Sequence, residues 1–110
     1  MFESAGTGMA LLDPNSRFLK SNRAFETLVG YSEEELQMMF YSDLTTDKKQ
    51  SNLLKKFNNL ITGKLDRYRS EHRYLHRDWN EKFGSLTATA TALPNRKLVI
   101  VCIIEETIEL

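Results

Sequence analysis

The sequence predicts an α+β domain built on a five-stranded antiparallel sheet. Two short strand-like segments open the chain, a helical region follows, and three strand-like segments close it. Because strands and helices are segregated along the chain instead of alternating, antiparallel pairing is expected. With 110 residues, the chain has a common single-domain size, and one domain is expected over residues 1–110.

The first two predicted strands form a hairpin. Met9–Leu12 is a short apolar run that suits a buried strand. It ends at a dense cluster of turn-forming residues, Asp13-Pro14-Asn15-Ser16. Arg17–Ser21 is then predicted to be the returning strand.

Two short helices are predicted next, because both have boundary signals. Asn22 is a good N-cap and Gly30 a good C-terminal stop for the first helix. Ser32 and Glu35 form a capping box for the second. The residues expected to be buried are Ala24, Phe25, Leu28 and Val29 in the first helix, and Leu36, Met39 and Phe40 in the second.

A longer helix is predicted over Asp47–Thr62, capped by Thr46 and ended by Gly63. Its apolar residues recur at helical spacing and define one buried face. They are Leu53, Leu54, Phe57, Leu60 and Ile61.

Three strands are predicted to close the chain, over Asp66–Arg77, Phe83–Leu93 and Lys97–Ile104. Alternation along the first places one set of side chains on a common face: Tyr68, Ser70, His72, Tyr74 and His76. Alternation along the second predicts a small-residue inner face of Leu86, Ala88, Ala90 and Ala92.

Two stretches resemble the PAS sensory domain family. One runs from Asn22 through Phe25 to the G-Y-S-x-x-E-L pattern at residues 30–36, and the other contains Glu71, Arg73, Arg77 and Asp78. The resemblance covers nearly the whole chain. It implies a PAS-like five-stranded antiparallel sheet with helices packed on one face, and with the first and last strands adjacent at the centre.

The chain departs from the PAS pattern at three places. The loop at Leu44 lacks the usual proline, Trp79 replaces the usual glycine, and Glu106-Thr107-Ile108 only loosely matches the closing motif. These departures concern loop and turn geometry and the junction that follows the last strand.

Composition excludes several kinds of function. Lys+Arg and Asp+Glu are equal at 15 each, so no basic surface favours nucleic acid. No apolar run approaches the ~18 residues of a membrane span, and no direct membrane contact is expected. A single cysteine and an N-terminus without a basic region indicate a cytoplasmic location. Any membrane anchor of a full-length protein would lie outside this chain.

The sequence offers no catalytic or metal-binding constellation, so no enzyme activity is predicted. Cys102 lies in the most apolar strand without an activating neighbour. His72 and His76 lack a third ligand. No cofactor is predicted either: the flavin-binding cysteine motif of some PAS domains is absent, and the long helix carries no histidine for haem. His72 is interpreted as a hydrogen-bonded strand histidine.

The resemblance implies a sensory domain of a larger bacterial signalling protein, such as a histidine kinase of a two-component system, a diguanylate cyclase or a transcription regulator. It would relay a signal to a C-terminal effector domain. Polar groups on a core strand suggest either a pocket for a small ligand or an edge strand whose ring tips reach water. The pocket candidates are Tyr68, Ser70, His72, Tyr74, Phe57, Leu86 and Ala88.

The alternative is a ligand-free interaction module in which only dimerisation matters, and a haem- or flavin-dependent sensor is a further alternative that the motifs do not support. A homodimer is predicted because the last strand is apolar on both faces, so that its second face needs a cover. The interface candidates are Phe2, Leu11, Val99, Val101 and Ile103.

Overall fold

The structure is a computed structural model that describes residues 7–45 and 50–107. Predicted features at Phe2, at Thr46 and Asp47, and at Ile108 lie outside the described residues. The elements in chain order are β1 (Gly8–Leu12), β2 (Phe18–Ser21), α1 (Arg23–Val29), α2 (Glu33–Leu36), a 3-10 helix (Tyr41–Leu44), α3 (Gln50–Ile61), β3 (Tyr68–Leu75), β4 (Glu81–Ala92) and β5 (Leu98–Thr107). Within the described ranges, no helix has the length and apolar character that crossing a membrane requires.

The five strands form one antiparallel sheet in the order β2-β1-β5-β4-β3. This confirms the predicted α+β class, and the first and last strands are neighbours as expected. β5 lies at the centre, where Val101 is paired with Leu11 of β1 on one side and with Thr89 of β4 on the other.

One face of the sheet is covered by the helices. Eight side chains on this inner face are almost fully buried and form one core with the apolar residues of α1 and α3. The inner-face members are Ala10, Leu12, Tyr74, Leu86, Ala88, Ile100, Cys102 and Ile104. α1 packs against β1, whereas α3 packs across β3, β4 and β5.

Asn22 joins the start of α1 to β1. Its side-chain Oδ1 accepts hydrogen bonds from the backbone N–H of Phe25, at 3.0 Å, and from that of Met9, at 2.9 Å. Its Nδ2 donates to the carbonyl of Thr7 at 2.9 Å. The predicted N-cap is therefore also a cross-link between the helix and the sheet.

The capping box of α2 forms as predicted between Ser32 and Glu35, but the buried side of this helix was predicted too long. α2 ends at Leu36, and Phe40 is 40% exposed instead of buried. The reason is that the chain has left the helix by Phe40 and forms a β-bridge with Arg17, whose guanidinium lies 5.4 Å from the centre of the Phe40 ring.

α3 buries Leu53, Phe57 and Leu60, as its periodicity predicted. Leu54 was wrongly placed on that face and is 41% exposed. It follows the buried Leu53 directly, so its side chain points to a different side of the helix, away from the sheet. β5 is longer than predicted and continues to Thr107, because the first part of β4 pairs with it there, with Phe83 opposite Thr107.

Arg77 ties the β3–β4 turn to the helices. Its backbone N–H donates to the carbonyl of Val29 at 2.9 Å, and its guanidinium donates to both carboxylate oxygens of Glu35 at 2.7 Å. The guanidinium also lies over the Tyr31 ring, 5.5 Å from its centre. The hydrogen bond from Ser32 and the charge of Arg77 both lower the pKa of the Glu35 carboxyl.

Each of the three hairpin turns contains a left-handed residue that is not glycine. These residues are Ser16, Trp79 and Arg96, with φ values of 68°, 72° and 69°. In every case the N–H of this residue donates to the carbonyl three positions earlier, at 2.8–2.9 Å. A turn followed by a left-handed bulge residue normally favours glycine at this position. Trp79 therefore adopts the left-handed conformation at the position where the PAS pattern usually has glycine.

Replacing Trp79 with Gly is expected to raise the free energy of unfolding by roughly 0.5–1 kcal/mol. Holding an L-residue in the left-handed conformation costs about 1–2 kcal/mol, and glycine avoids this cost. Glycine also has greater entropy in the unfolded state, which cancels roughly half of the gain. Little packing is lost, because Trp79 is 80% exposed. Chemical denaturation measures the change. Trp79→Ala is the control, since it removes the ring but keeps Cβ and should bring no gain; a Gly variant less stable than the Ala variant would contradict the explanation.

Candidate functional site

The candidate site is the part of the core where α3 packs against strands β3, β4 and β5. The seven predicted pocket residues converge here: Phe57 from α3, Tyr68, Ser70, His72 and Tyr74 from β3, and Leu86 and Ala88 from β4. Tyr68 and Ser70 are half-buried, whereas the other five are buried. Glu71 and Arg73 point to the opposite side and are exposed. That these residues bind a ligand stays a prediction.

The centre of the site is a pair of tyrosine hydroxyls. The hydroxyls of Tyr41 and Tyr74 are 2.5 Å apart and hydrogen-bonded, and both side chains have no solvent exposure. Burial raises the pKa of Tyr41 well above its ordinary value and also raises the pKa of Tyr74. Both phenols therefore remain protonated and neutral across the physiological pH range.

Aromatic rings surround this pair in close succession. The Tyr41 ring lies 5.4 Å from Phe57 and 5.9 Å from Phe18, and Tyr74 lies 6.2 Å from the ring of His72. These separations are typical of favourable aromatic contacts. The rings fix the two hydroxyls in position, so the polar groups cannot simply rotate out to water.

Two residues of the site were missed by the sequence interpretation, Tyr41 and Gly84. Tyr41 lies in the short 3-10 helix, where no periodicity identified it as buried. Gly84 is buried on the inner face, and a Cβ there would lie 2.9 Å from Tyr74 Cε2 and 2.9 Å from Ile104 Cγ2. Its lack of a side chain therefore makes room for the Tyr74 ring. The signal for Gly84 was its place in the alternation of β4, two residues before Leu86.

The histidines and the cysteine have different surroundings. His72 is 4% exposed and contacts the rings of Tyr68 and Tyr74. His76 lies just beyond the end of β3 at Leu75, and its Nδ1 lies 2.9 Å from the Asp78 carboxylate. Burial raises the pKa of the Cys102 thiol, which makes it unreactive as a nucleophile.

Among the described residues, no group of three or more metal-ligating side chains converges. The site thus contains hydrogen-bonding groups, chiefly phenols, within an apolar wall. Such an arrangement can bind and orient a small molecule or complete the core by itself, but it offers no activated nucleophile.

The outer face of the sheet carries the predicted interface residues other than Phe2. Leu11 of β1 and Val99, Val101 and Ile103 of β5 lie on this face by register, together with Met9. Val99 is only 2% exposed, whereas the other four are half-buried. An aliphatic strip therefore follows the two central strands on the side opposite the helices.

Comparison with known proteins shows a family match. A model of the PAS fold matches residues 18–104. The chain is 33% identical over 76 residues to the probable diguanylate cyclase DgcE of Escherichia coli strain K12 and 27% identical over 75 residues to the sensor histidine kinase TmoS of Ectopseudomonas mendocina. The matches cover 69% and 68% of this chain but only 7% and 8% of those proteins. The chain therefore spans less than a tenth of either relative.

Solved structures show the same fold at lower identity. A PAS domain from Colwellia psychrerythraea superposes with a TM-score of 0.82 at 17% identity, covering 96% of this chain and 90% of that one. A domain of a sensory box sensor histidine kinase/response regulator from Geobacter sulfurreducens gives a TM-score of 0.78 at 20% identity, covering 94% and 86%.

The tyrosine pair predicts strongly non-additive stability effects. Tyr41→Phe and Tyr74→Phe should each lower the free energy of unfolding by about 1–3 kcal/mol, because each leaves a buried hydroxyl without its partner. The double variant should be at least as stable as either single variant, since it removes both polar groups and keeps both rings. Urea denaturation of the four proteins measures this cycle, and losses that simply add would contradict the pairing.

Proposed function

Because this chain belongs to the PAS fold family, we propose that it is the small-molecule sensing domain of a larger signalling protein. A histidine kinase or a diguanylate cyclase is the kind of protein that its relatives suggest. The domain would bind its ligand between α3 and the sheet and relay the result to an effector domain that follows it. The chain itself would perform no catalysis.

The observation that carries this proposal is the polar character of the interior. A protein core is built most stably from aliphatic side chains, whereas buried hydroxyls need partners and cost free energy without them. Here Tyr41 and Tyr74 are wholly buried, with His72 beside them. Hydrogen-bonding groups that converge within an apolar wall are typical of a ligand site.

The fold supplies a physical route from this site to the rest of a protein. α3 packs against β5, the central strand that continues to Thr107. A ligand that fits one arrangement of α3 and the sheet better than another would shift the population of the two arrangements. The position of β5 would change with that population, and the segment beyond it would receive the signal.

Filling the interior tests the proposal. In the wild-type chain, a screen of small molecules should find compounds that raise the melting temperature. At a ligand concentration of about a hundred times Kd, the free energy of unfolding should rise by about 2.7 kcal/mol. Ala88→Leu should abolish this response, because Ala88 is fully buried on the inner face. The substitution itself should cost about 1–3 kcal/mol from overpacking.

Thr91→Leu is the matched control, since Thr91 lies on the same strand but is exposed on the outer face. Circular dichroism verifies that all three proteins are folded. If Ala88→Leu responds to the same compounds as the wild type, the ligand site does not lie between α3 and the sheet. A wild-type chain that responds to no compound would instead favour the ligand-free interaction module.

A second function, homodimerisation, is favoured by the outer face. Met9, Leu11, Val101 and Ile103 form adjacent aliphatic positions on paired central strands. An antiparallel sheet with one covered face usually presents polar side chains on the other. The aliphatic strip therefore suits an isologous contact with a second copy of the chain, which would align two sensory domains beside each other.

Val101→Glu and Ile103→Glu are each expected to convert a dimer into a folded monomer, because each places a charge in the strip. Light scattering at several concentrations measures the mass, and Thr91→Glu adds the same charge to the same face outside the strip. A wild-type chain that remains monomeric at the highest concentration would contradict the dimer, as would an unchanged mass in both strip variants.

No haem or flavin is proposed to occupy the site. Cys102 is buried with a raised pKa, which does not suit covalent flavin chemistry, and the described part of α3 contains no histidine. The purified protein should therefore absorb only at the wavelengths of its aromatic residues. A Soret band or a flavin band in the visible spectrum would overturn this expectation.

A further inference from the structure

The geometry points to a chemical class of ligand. We propose that the interior site takes a neutral molecule with a hydrogen-bond acceptor, such as a carbonyl oxygen, which accepts from the Tyr41–Tyr74 pair. This inference rests on the proposed function of small-molecule sensing, because it concerns the same interior site.

The first argument is a count of hydrogens. Each tyrosine hydroxyl has one hydrogen to donate, so the pair has two hydrogens. Their mutual bond uses one of them, whichever oxygen acts as the donor. Among the hydrogen bonds of the described residues, the other hydrogen has no acceptor. Because both side chains are fully buried, bulk water does not reach it. The pair is therefore one acceptor short.

The second argument concerns charge. Eleven inner-face positions around the pair carry no charge: Tyr68, Ser70, His72 and Tyr74 on β3, Gly84, Leu86, Ala88 and Ala90 on β4, and Ile100, Cys102 and Ile104 on β5. The charged residues of this face, Lys82 opposite Tyr74 and Glu106 opposite Gly84, lie at one end of the sheet, where Lys82 is half-buried and Glu106 is exposed. A carboxylate or phosphate ligand enclosed among the uncharged positions would lose its hydration, and the half-buried Lys82 at the end of the sheet is the one cation of these paired positions. A neutral acceptor avoids this cost, and it also satisfies the leftover donor.

The third argument concerns the rest of the ligand. The apolar wall includes Leu53 and Phe57 from α3 and Leu86 and Ala88 from β4. It suits a compact apolar body attached to the acceptor group. A pure hydrocarbon would fit this wall equally well, but it would leave the hydroxyl hydrogen without a partner. The affinity difference between the two kinds of molecule is therefore the direct measure of the inference.

Cyclohexanone and methylenecyclohexane provide this measure, because they have nearly the same shape and differ in C=O against C=CH₂. Cyclohexanecarboxylate tests the exclusion of charge. Each compound is titrated into the chain labelled with ¹³C at tyrosine Cζ, and Kd is obtained by NMR. Cyclohexanone should bind about tenfold more tightly than methylenecyclohexane, as expected for one net hydrogen bond, and should shift the Cζ signals of Tyr41 and Tyr74. The carboxylate should show no binding at this site.

The Tyr41→Phe/Tyr74→Phe variant is the control, and its preference for the ketone should disappear while hydrocarbon binding remains. The comparison within the wild-type chain decides the matter even if this variant does not fold. Equal affinities for the ketone and the hydrocarbon would overturn the inferred ligand class but leave the sensing site intact. Interior binding of the carboxylate would also overturn it. If none of the compounds perturbs the tyrosine signals, the inferred ligand class fails, whereas the sensing function is decided separately by the compound screen with Ala88→Leu.

Discussion

The buried side chain of Asn22 is the contact on which the arrangement of helices and sheet depends. Its oxygen accepts from the first turn of α1 and from β1, and its nitrogen donates to the carbonyl of Thr7. No aliphatic residue could serve both elements, because the bonds are to backbone groups that would otherwise be buried without partners. The side chain thereby sets where α1 begins relative to β1.

The interior shows a second constraint, because the core contains a buried pair of hydroxyl groups. Gly84 leaves space for the Tyr74 ring, and that ring brings its hydroxyl to Tyr41. Leucine or phenylalanine at the tyrosine positions would fill the same volume without a polar atom. Under the proposed sensing function, polar groups held so rigidly would serve to distinguish among small molecules, since a discriminating site has to preserve its geometry when empty.

Local signals explain how much of this molecule could be predicted from its sequence. Asn22, Gly30 and the Ser32–Glu35 pair act on neighbours within one helical turn, so the helix boundaries were recognisable. The alternation along β3 likewise showed which residues face inward. Leu54 and Phe40 were misplaced because their exposure depends on where another part of the chain packs. Tyr41 was missed because its role arises only from contacts between distant segments. The alternation of β4 marks Gly84 as inward-facing, but it does not show that the Tyr74 ring needs the space there.

The strand order also affects how the domain can form. β5 is the last strand of the chain and the middle strand of the sheet, and it alone joins the β1–β2 hairpin to the β3–β4 hairpin. A chain emerging from the ribosome therefore holds two separate hairpins with open inner edges until β5 arrives. Contacts this distant in sequence are slow to form, and open edges invite association with other chains. Completion of the sheet is consequently a single late event, and a segment that follows β5 is synthesised when the domain has only just become able to fold.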